Sequence, residues 1–114
     1  MTQEQIIEGN KSIDEFMDNW LTNRGFSETE LNYNSDWNCL MEVVEKINEM
    51  TDEFGNQYDF HISNGYVWVD PHIGGRIFFS GNEIGHREEP MIQKVFRGVV
   101  EFIKWYNDES RKNN

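Results

Sequence analysis

The stretch YDFHISNGYVWVD, Tyr58 to Asp70, decides the fold because it predicts a β-hairpin. Asn64-Gly65 at its centre favours a two-residue turn, since both turn positions need positive φ. Such a turn pairs Ser63 with Tyr66 and fixes the rest of the register. One face of the hairpin is then apolar and carries Tyr58, Phe60, Ile62, Val67 and Val69. The opposite face carries Asp59, His61, Ser63, Tyr66, Trp68 and Asp70.

A third strand and a long helix are predicted after the hairpin. The segment RIFFS at 76–80 has the β-branched and aromatic composition of a strand. The helix runs from about residue 89 or 90 to Asn107, and Pro90 suits its first turn, where a missing N–H is harmless. Its apolar face comprises Ile92, Val95, Phe96, Val99, Phe102, Ile103 and Tyr106. Its opposite face is expected to carry Lys94, Arg97 and Lys104, with Glu101 among them.

The first predicted helix covers about residues 3 to 21. Thr2 and Gln5 form a capping-box signature at its start, and Gly25 is a candidate left-handed terminator beyond its end. Helical periodicity places one apolar face on Ile6, Ile13, Phe16, Met17 and Trp20. The opposite face is acidic, with Glu4, Glu8, Glu15 and Asp18.

The second predicted helix begins in SDWNCLMEVVEKI, with Ser35 as its N-cap. Its apolar stripe is predicted to be Trp37, Leu40, Met41, Val44 and Ile47. Its outer side is lined by Glu42, Glu45, Glu49 and Asp52. Cys39 falls at the edge of the stripe. We interpret it as a small packing residue, because a nucleophilic cysteine needs a base and a lowered pKa.

These elements predict one α+β domain over residues 1–108 and a frayed tail at 109–114. Two N-terminal helices precede a small antiparallel sheet of about three strands, and a C-terminal helix packs on the sheet. The second and third helices are expected to cover the apolar hairpin face. The first helix either covers the face with Tyr66 and Trp68 or leaves it for a partner.

The net charge is -11 and is unevenly distributed. Residues 1–55 contain 13 Asp/Glu and 3 Lys/Arg, whereas residues 56–114 contain 8 and 7. A negative field disfavours direct binding to nucleic acid, which needs cations, and suits a partner protein with a basic surface. The same charge also serves solubility. One cysteine and the lack of a long apolar run predict a cytoplasmic protein that does not span a membrane.

Two segments, DWNCLMEVVEKI at 36–47 and VVEFIKWYN at 99–107, resemble a family of small proteins from phages and Bacteroidetes-type bacteria. Its members carry Trp-Asp-Trp-Leu-Met-Pro-Val-Val-Glu-Lys-Ile early and Val-Val-x-Phe-Ile-x-Trp-Tyr-Asn late. EGNKSIDEFM at 8–17 resembles their opening. Departures are Asn38, Cys39 and Glu42, which replace Asp, Trp and Pro. The resemblance implies a phage α-β-α sandwich domain and a phage origin, and it supplies no catalytic residues.

The histidines offer a weaker hypothesis. His61, His72 and His86, together with Asp70, have the side chains of zinc and iron sites. However, no pair of them has the i,i+4 spacing of ligands on one helix, and we expect no metal and no cofactor. The glycines at 74, 75, 81 and 85 do not form a phosphate-binding loop.

Three functional classes follow. The first is a non-enzymatic, phage-encoded protein that inhibits a host protein, for example a defence nuclease such as a CRISPR effector. Its expected partner-binding residues are Glu42, Glu45, Glu49, Asp52, Tyr66 and Trp68. The second is a structural or regulatory protein that self-associates through the basic face of the third helix. The third is a small enzyme or nucleotide binder that uses His61, Asp70 and His72.

Overall fold

The computed structural model describes residues 1–63, 66–70, 77–80 and 90–112. In chain order its elements are α1 (Gln3–Phe16), a short 3-10 helix (Thr22–Arg24), α2 (Trp37–Glu49), β1 (Asp59–Ser63), β2 (Tyr66–Asp70), β3 (Ile77–Ser80) and α3 (Met91–Lys112). The predicted α+β class is confirmed. The prediction that only two helices precede the sheet is corrected, because the 3-10 helix lies between α1 and α2.

The hairpin has the predicted register. β1 and β2 pair antiparallel, with Ser63 opposite Tyr66 and His61 opposite Trp68. β3 pairs antiparallel with the other side of β2, and the register shifts between Val67 and Trp68. The Asn64-Gly65 turn that predicted this register lies outside the described residues.

The core forms where α2 and α3 pack on the apolar face of the sheet. The sheet contributes the buried Phe60, Val67 and Val69, which face buried residues of both helices. Ile62 was expected on this face but is 37% exposed. It lies near the turn end of β1, an outer strand of the described sheet, and the helices leave it partly open to solvent.

α3 is packed on two sides, and a glycine permits each contact. A Cβ added to Gly98 would collide with the Val67 side chain, so the absence of one lets α3 lie close to β2. A Cβ at Gly9 would come within 2.8 Å of Phe96 Cζ and 3.1 Å of Val100 Cγ2. Gly9 therefore brings α1 close to α3, and α1 packs on this helix.

The predicted basic face of α3 is corrected at Lys94, which is buried at 4% exposure. Lys94 lies one helical turn before Gly98, on the side that faces the sheet, so periodicity of the apolar residues alone misplaces it. Pro90 precedes the helix, and its carbonyl accepts the N–H of Gln93 at 3.0 Å. α3 extends to Lys112, beyond the predicted end at Asn107.

α1 begins as predicted and ends earlier. The Thr2 side chain accepts the Gln5 N–H at 3.1 Å, and the Gln5 side chain accepts the Thr2 N–H at 2.8 Å, which completes the capping box. The helix ends at Phe16, because Asp18 and Asn19 adopt left-handed backbone angles, with φ of 57° and 61°. Gly25, with φ of 100°, terminates the 3-10 helix instead.

α2 is rotated relative to the predicted stripe. Its N-cap is Asp36, whose carboxylate accepts the N–H groups of Asn38 and Cys39 at 2.9 and 3.2 Å, and not Ser35. The buried residues are Leu40, Val43, Val44 and Ile47. Met41 is half-buried, and Trp37 is 43% exposed. The two tightly packed valines define the core side, which turns Trp37 outward.

Candidate protein-binding surface

An acidic strip, defined as Glu42, Glu45 and Glu49, occupies the outer side of α2. All three side chains are exposed, and they lie opposite the buried residues of the helix. At about 100° per residue they fall within about 60° of arc. Charged groups in that position remain solvated, so folding does not require them there. The strip is therefore available to a partner.

Asp52, expected to continue this strip, has a different role. It lies beyond the end of α2, in the turn between Thr51 and Gln57. Its Oδ1 accepts the N–H groups of Phe54 and Asn56, each at 2.9 Å. Asp52 thus stabilises a turn, and that turn leaves Phe54 66% exposed.

A shallow groove runs beside the acidic strip. Its volume is about 450 Å³, and it is lined by Met17, Asp18, Trp20, Lys46 and the three strip glutamates. The Lys46 ammonium lies over the Phe16 ring at 4.6 Å, contacts the Phe16 carbonyl and is 3.8 Å from Asp18. Lys46 therefore points toward the end of α1, away from the centre of the strip.

Asp14, which is 2% exposed, fixes the chain segment that carries the groove residue Trp20. Its carboxylate accepts the Leu21 N–H at 3.0 Å, the Tyr33 hydroxyl at 2.7 Å and the Thr22 hydroxyl at 2.5 Å. Burial raises the pKa of Asp14, but these hydrogen bonds outweigh it and lower the pKa below the ordinary value of 3.8. Burial and the Asp14 carboxylate raise the pKa of Tyr33. The segment carrying Trp20 is thereby fixed against α1.

A second cluster lies on the outer face of the sheet. The His61 ring stacks on the Trp68 ring, with centroids 4.9 Å apart and planes 13° from parallel. His61 Nε2 lies 3.0 Å from Asp59 Oδ2 and 3.2 Å from Asp70 Oδ2. Trp68 donates its Nε1–H to Asp70 at 3.3 Å. Trp68 is half-buried and held by these contacts, and the side chain of Tyr66 lies outside the described part of the chain.

The candidates for catalysis and metal binding are placed as follows. His61 and Asp70 come together, whereas His72 and His86 lie outside the described residues. In the described ranges, no group of three or more His, Cys, Asp or Glu side chains is arranged to hold a metal ion. Burial and the nearby Asp36 carboxylate raise the pKa of Cys39, which keeps its thiol protonated and a poor nucleophile.

The basic residues of α3 face a groove shared with α1. This groove, of about 870 Å³, has Gly9, Val100 and Ile103 among its lining residues. Arg97 and Lys104 of α3 share its lining with Glu4 and Glu8 of α1. Opposite charges therefore meet within one chain. Together with the burial of Lys94, this reduces the basic face of α3 that the sequence predicted.

Three features were missed in the sequence analysis: the burial of Asn10, the burial of Asp14 and the exposure of two aromatic side chains. Asn10 and Asp14 are one turn apart on α1 and both buried, and the Asn10 amide donates to the Leu31 carbonyl at 3.0 Å. An i,i+4 pair of polar residues flanking the apolar Ile13 was the available signal. The exposure of Trp37 and Phe54 was the third feature, and no signal in the sequence indicated it.

No protein-family model, curated protein or solved structure matches the chain. Among the described helices, none combines the length and the apolar character needed to cross a bilayer.

Proposed function

We propose that this chain is a non-enzymatic, acidic binding protein that covers a basic surface of a host protein and blocks its activity. The acidic strip on α2 is the observation that carries the proposal, because its glutamates are exposed and grouped on a helix fixed by the core. The phage-like sequence resemblance supports phage origin. A defence nuclease of the host, including a CRISPR effector, is the class of target that such a protein would inhibit.

The charge of the acidic strip is expected to determine mainly how fast the protein associates with its partner. A basic groove on the target attracts the strip over about 10 Å at 0.1 M salt, which speeds association. Each exposed ion pair contributes only about 0–1 kcal/mol, so the charges govern rate and partner choice more than final affinity. The association rate is therefore expected to fall as salt rises.

A second candidate function is favoured by one specific observation. The juxtaposition of His61 and Asp70, next to a polar groove of about 730 Å³, suits a small enzyme or nucleotide binder. His61→Ala discriminates between the two functions, because it removes such an activity and leaves binding through α2 intact. Self-association is less well supported, since the cations of α3 share a groove with α1 glutamates.

The test begins with affinity purification from an infected or producing host, to identify the bound protein. Association with that protein is then measured over a range of salt for wild type, for E42K/E45K/E49K and for E4K/E8K/E15K. The second triple variant is a matched control, because it changes net charge equally through three exposed α1 glutamates. We expect a loss of association rate and of salt dependence in the α2 variant only. Equal behaviour of the two variants would contradict the proposal.

A further inference from the structure

We infer that the acidic strip binds a basic, amphipathic helix of the partner protein and that Trp37 is the apolar anchor of this contact. The inference rests on the proposed function and names the element that the strip recognises. It also prefers Trp37 to Trp68, which the sequence analysis placed among the partner-binding residues. Trp68 is held between His61 and Asp70, whereas Trp37 is 43% exposed on the helix that carries the strip.

Apolar side chains flank the strip on both of its long sides. Trp37, Met41 and Glu45 follow each other at intervals of four residues, so the first two residues border the strip along one row of α2. On the other side, Met17 and Trp20 line the groove that begins at Glu42 and Lys46. The surface is thus a band of negative charge between two apolar edges.

The shape of this band indicates the partner element. α2 has 13 residues, so at about 1.5 Å each the surface from Trp37 to Glu49 is about 20 Å long, and the acidic strip occupies about 10 Å of it. A helix lying along it offers rows of side chains at i, i+3 and i+4 over the same length, with cations in one row and apolar residues in the next. A purely cationic segment satisfies the glutamates and leaves Trp37 in water.

Trp37 has the properties of an interface anchor. Tryptophan is enriched among the residues that dominate binding energy, since it buries a large area with few rotatable bonds. Trp37 lies in the first turn of α2, where Asp36 caps the helix, so its backbone is fixed before any partner arrives. Its truncation is expected to leave the fold intact, because the side chain is not part of the buried core.

Two synthetic helical peptides test the inference. One carries lysines and leucines on adjacent rows, and the other has the same lysines with glutamine in place of each leucine. Wild type is expected to bind the leucine peptide more tightly. Trp37→Ala should weaken that binding by about tenfold or more, corresponding to the loss of at least about 1.4 kcal/mol, and leave the glutamine peptide unaffected. Phe54→Ala is the matched control, since Phe54 is exposed but lies beyond α2.

Fluorescence gives a readout specific to the anchor. Binding of the leucine peptide should shift the emission of wild type to shorter wavelength, and Trp37→Phe should bind comparably with most of that shift removed. Unchanged affinity in Trp37→Ala, or an equal loss in Phe54→Ala, overturns the inference. If E42K/E45K/E49K then still abolishes binding, the proposed function survives without it. If that triple variant binds both peptides as wild type does, the proposed function itself fails.

Discussion

At the scale of single residues, Asp14 shows how a buried charge organises irregular chain. It lies in the last turns of α1, and its partners are Leu21, Thr22 and Tyr33. A buried carboxylate is stable only when hydrogen bonds replace its lost hydration, and here they come from backbone and hydroxyl groups. The segment after α1 therefore takes its path from one side chain.

Asp14→Ala should lower the free energy of unfolding by at least about 3 kcal/mol, because it strands several buried donors that cost about 1–3 kcal/mol each. Denaturant titration measures this loss. Glu15→Ala, at the exposed neighbouring position, is expected to have little effect. Equal losses in the two variants would show that the Asp14 hydrogen bonds contribute nothing special.

The lowered pKa of Asp14 also predicts a pH dependence. A depressed folded-state pKa contributes stability above the ordinary value of 3.8, and this contribution is lost as the pH falls toward the folded-state pKa. The unfolding free energy of wild type should therefore drop in this acid range more steeply than that of Asp14→Asn. Matching slopes for the two proteins would contradict the assignment.

At the scale of elements, α2 shows what helical periodicity predicts and what it leaves open. The sequence placed the helix, the three exposed glutamates of the acidic strip and the buried Leu40, Val44 and Ile47 correctly, but not Asp52. It placed Trp37 in the core because Trp37 is three residues before Leu40, which is the spacing of a single helical stripe. Periodicity locates the buried side of a helix only to within roughly one residue. Packing against the neighbouring elements then decides which residues at the edge of the stripe are buried.

The rotation of α2 makes a direct prediction. Leu40→Ala should destabilise the fold by about 2–5 kcal/mol and Val43→Ala by about 1.5–3 kcal/mol, since both side chains are fully buried. Trp37→Ala and Cys39→Ala should cost much less. Thermal and denaturant unfolding of the four variants measures the loss of stability in each. A larger loss in Trp37→Ala than in Val43→Ala would support the stripe predicted from sequence.

The close packing of α3 on the sheet at Gly98 gives a second prediction at the scale of elements. Gly98→Ala should destabilise the protein, because overpacking costs about 1–3 kcal/mol and exceeds the helix propensity gain of about 0.5–1 kcal/mol. Val67→Ala in the same chain removes the clashing side chain atoms. A double-mutant cycle should therefore show that the second change destabilises less in the Gly98→Ala background than alone, and additive losses would refute the contact.

At the scale of the whole molecule, the predictions from sequence were accurate where a pattern is local. The hairpin register is the one predicted from Asn64-Gly65, and the cap of α1 follows from two side chains three residues apart. The packing of α1 against α3 was not predictable, since it depends on Gly9 meeting Phe96 across most of the chain. The candidate binding surface was likewise only partly predictable. Its glutamates could be placed from the sequence, whereas the exposure of Trp37 could not.

The packing of α3 has a consequence for how the chain is made. α3 stands between the sheet and α1, and it follows both in chain order. While a ribosome is still producing the hairpin, α1 lacks the helix on which it packs, and the sheet has only α2 to cover its apolar face. The nascent chain therefore remains unfolded until α3 emerges, and before that point its exposed strands are a substrate for chaperones. Folding is therefore expected to be a single event that requires α3, with no stable intermediate made of the elements that precede it.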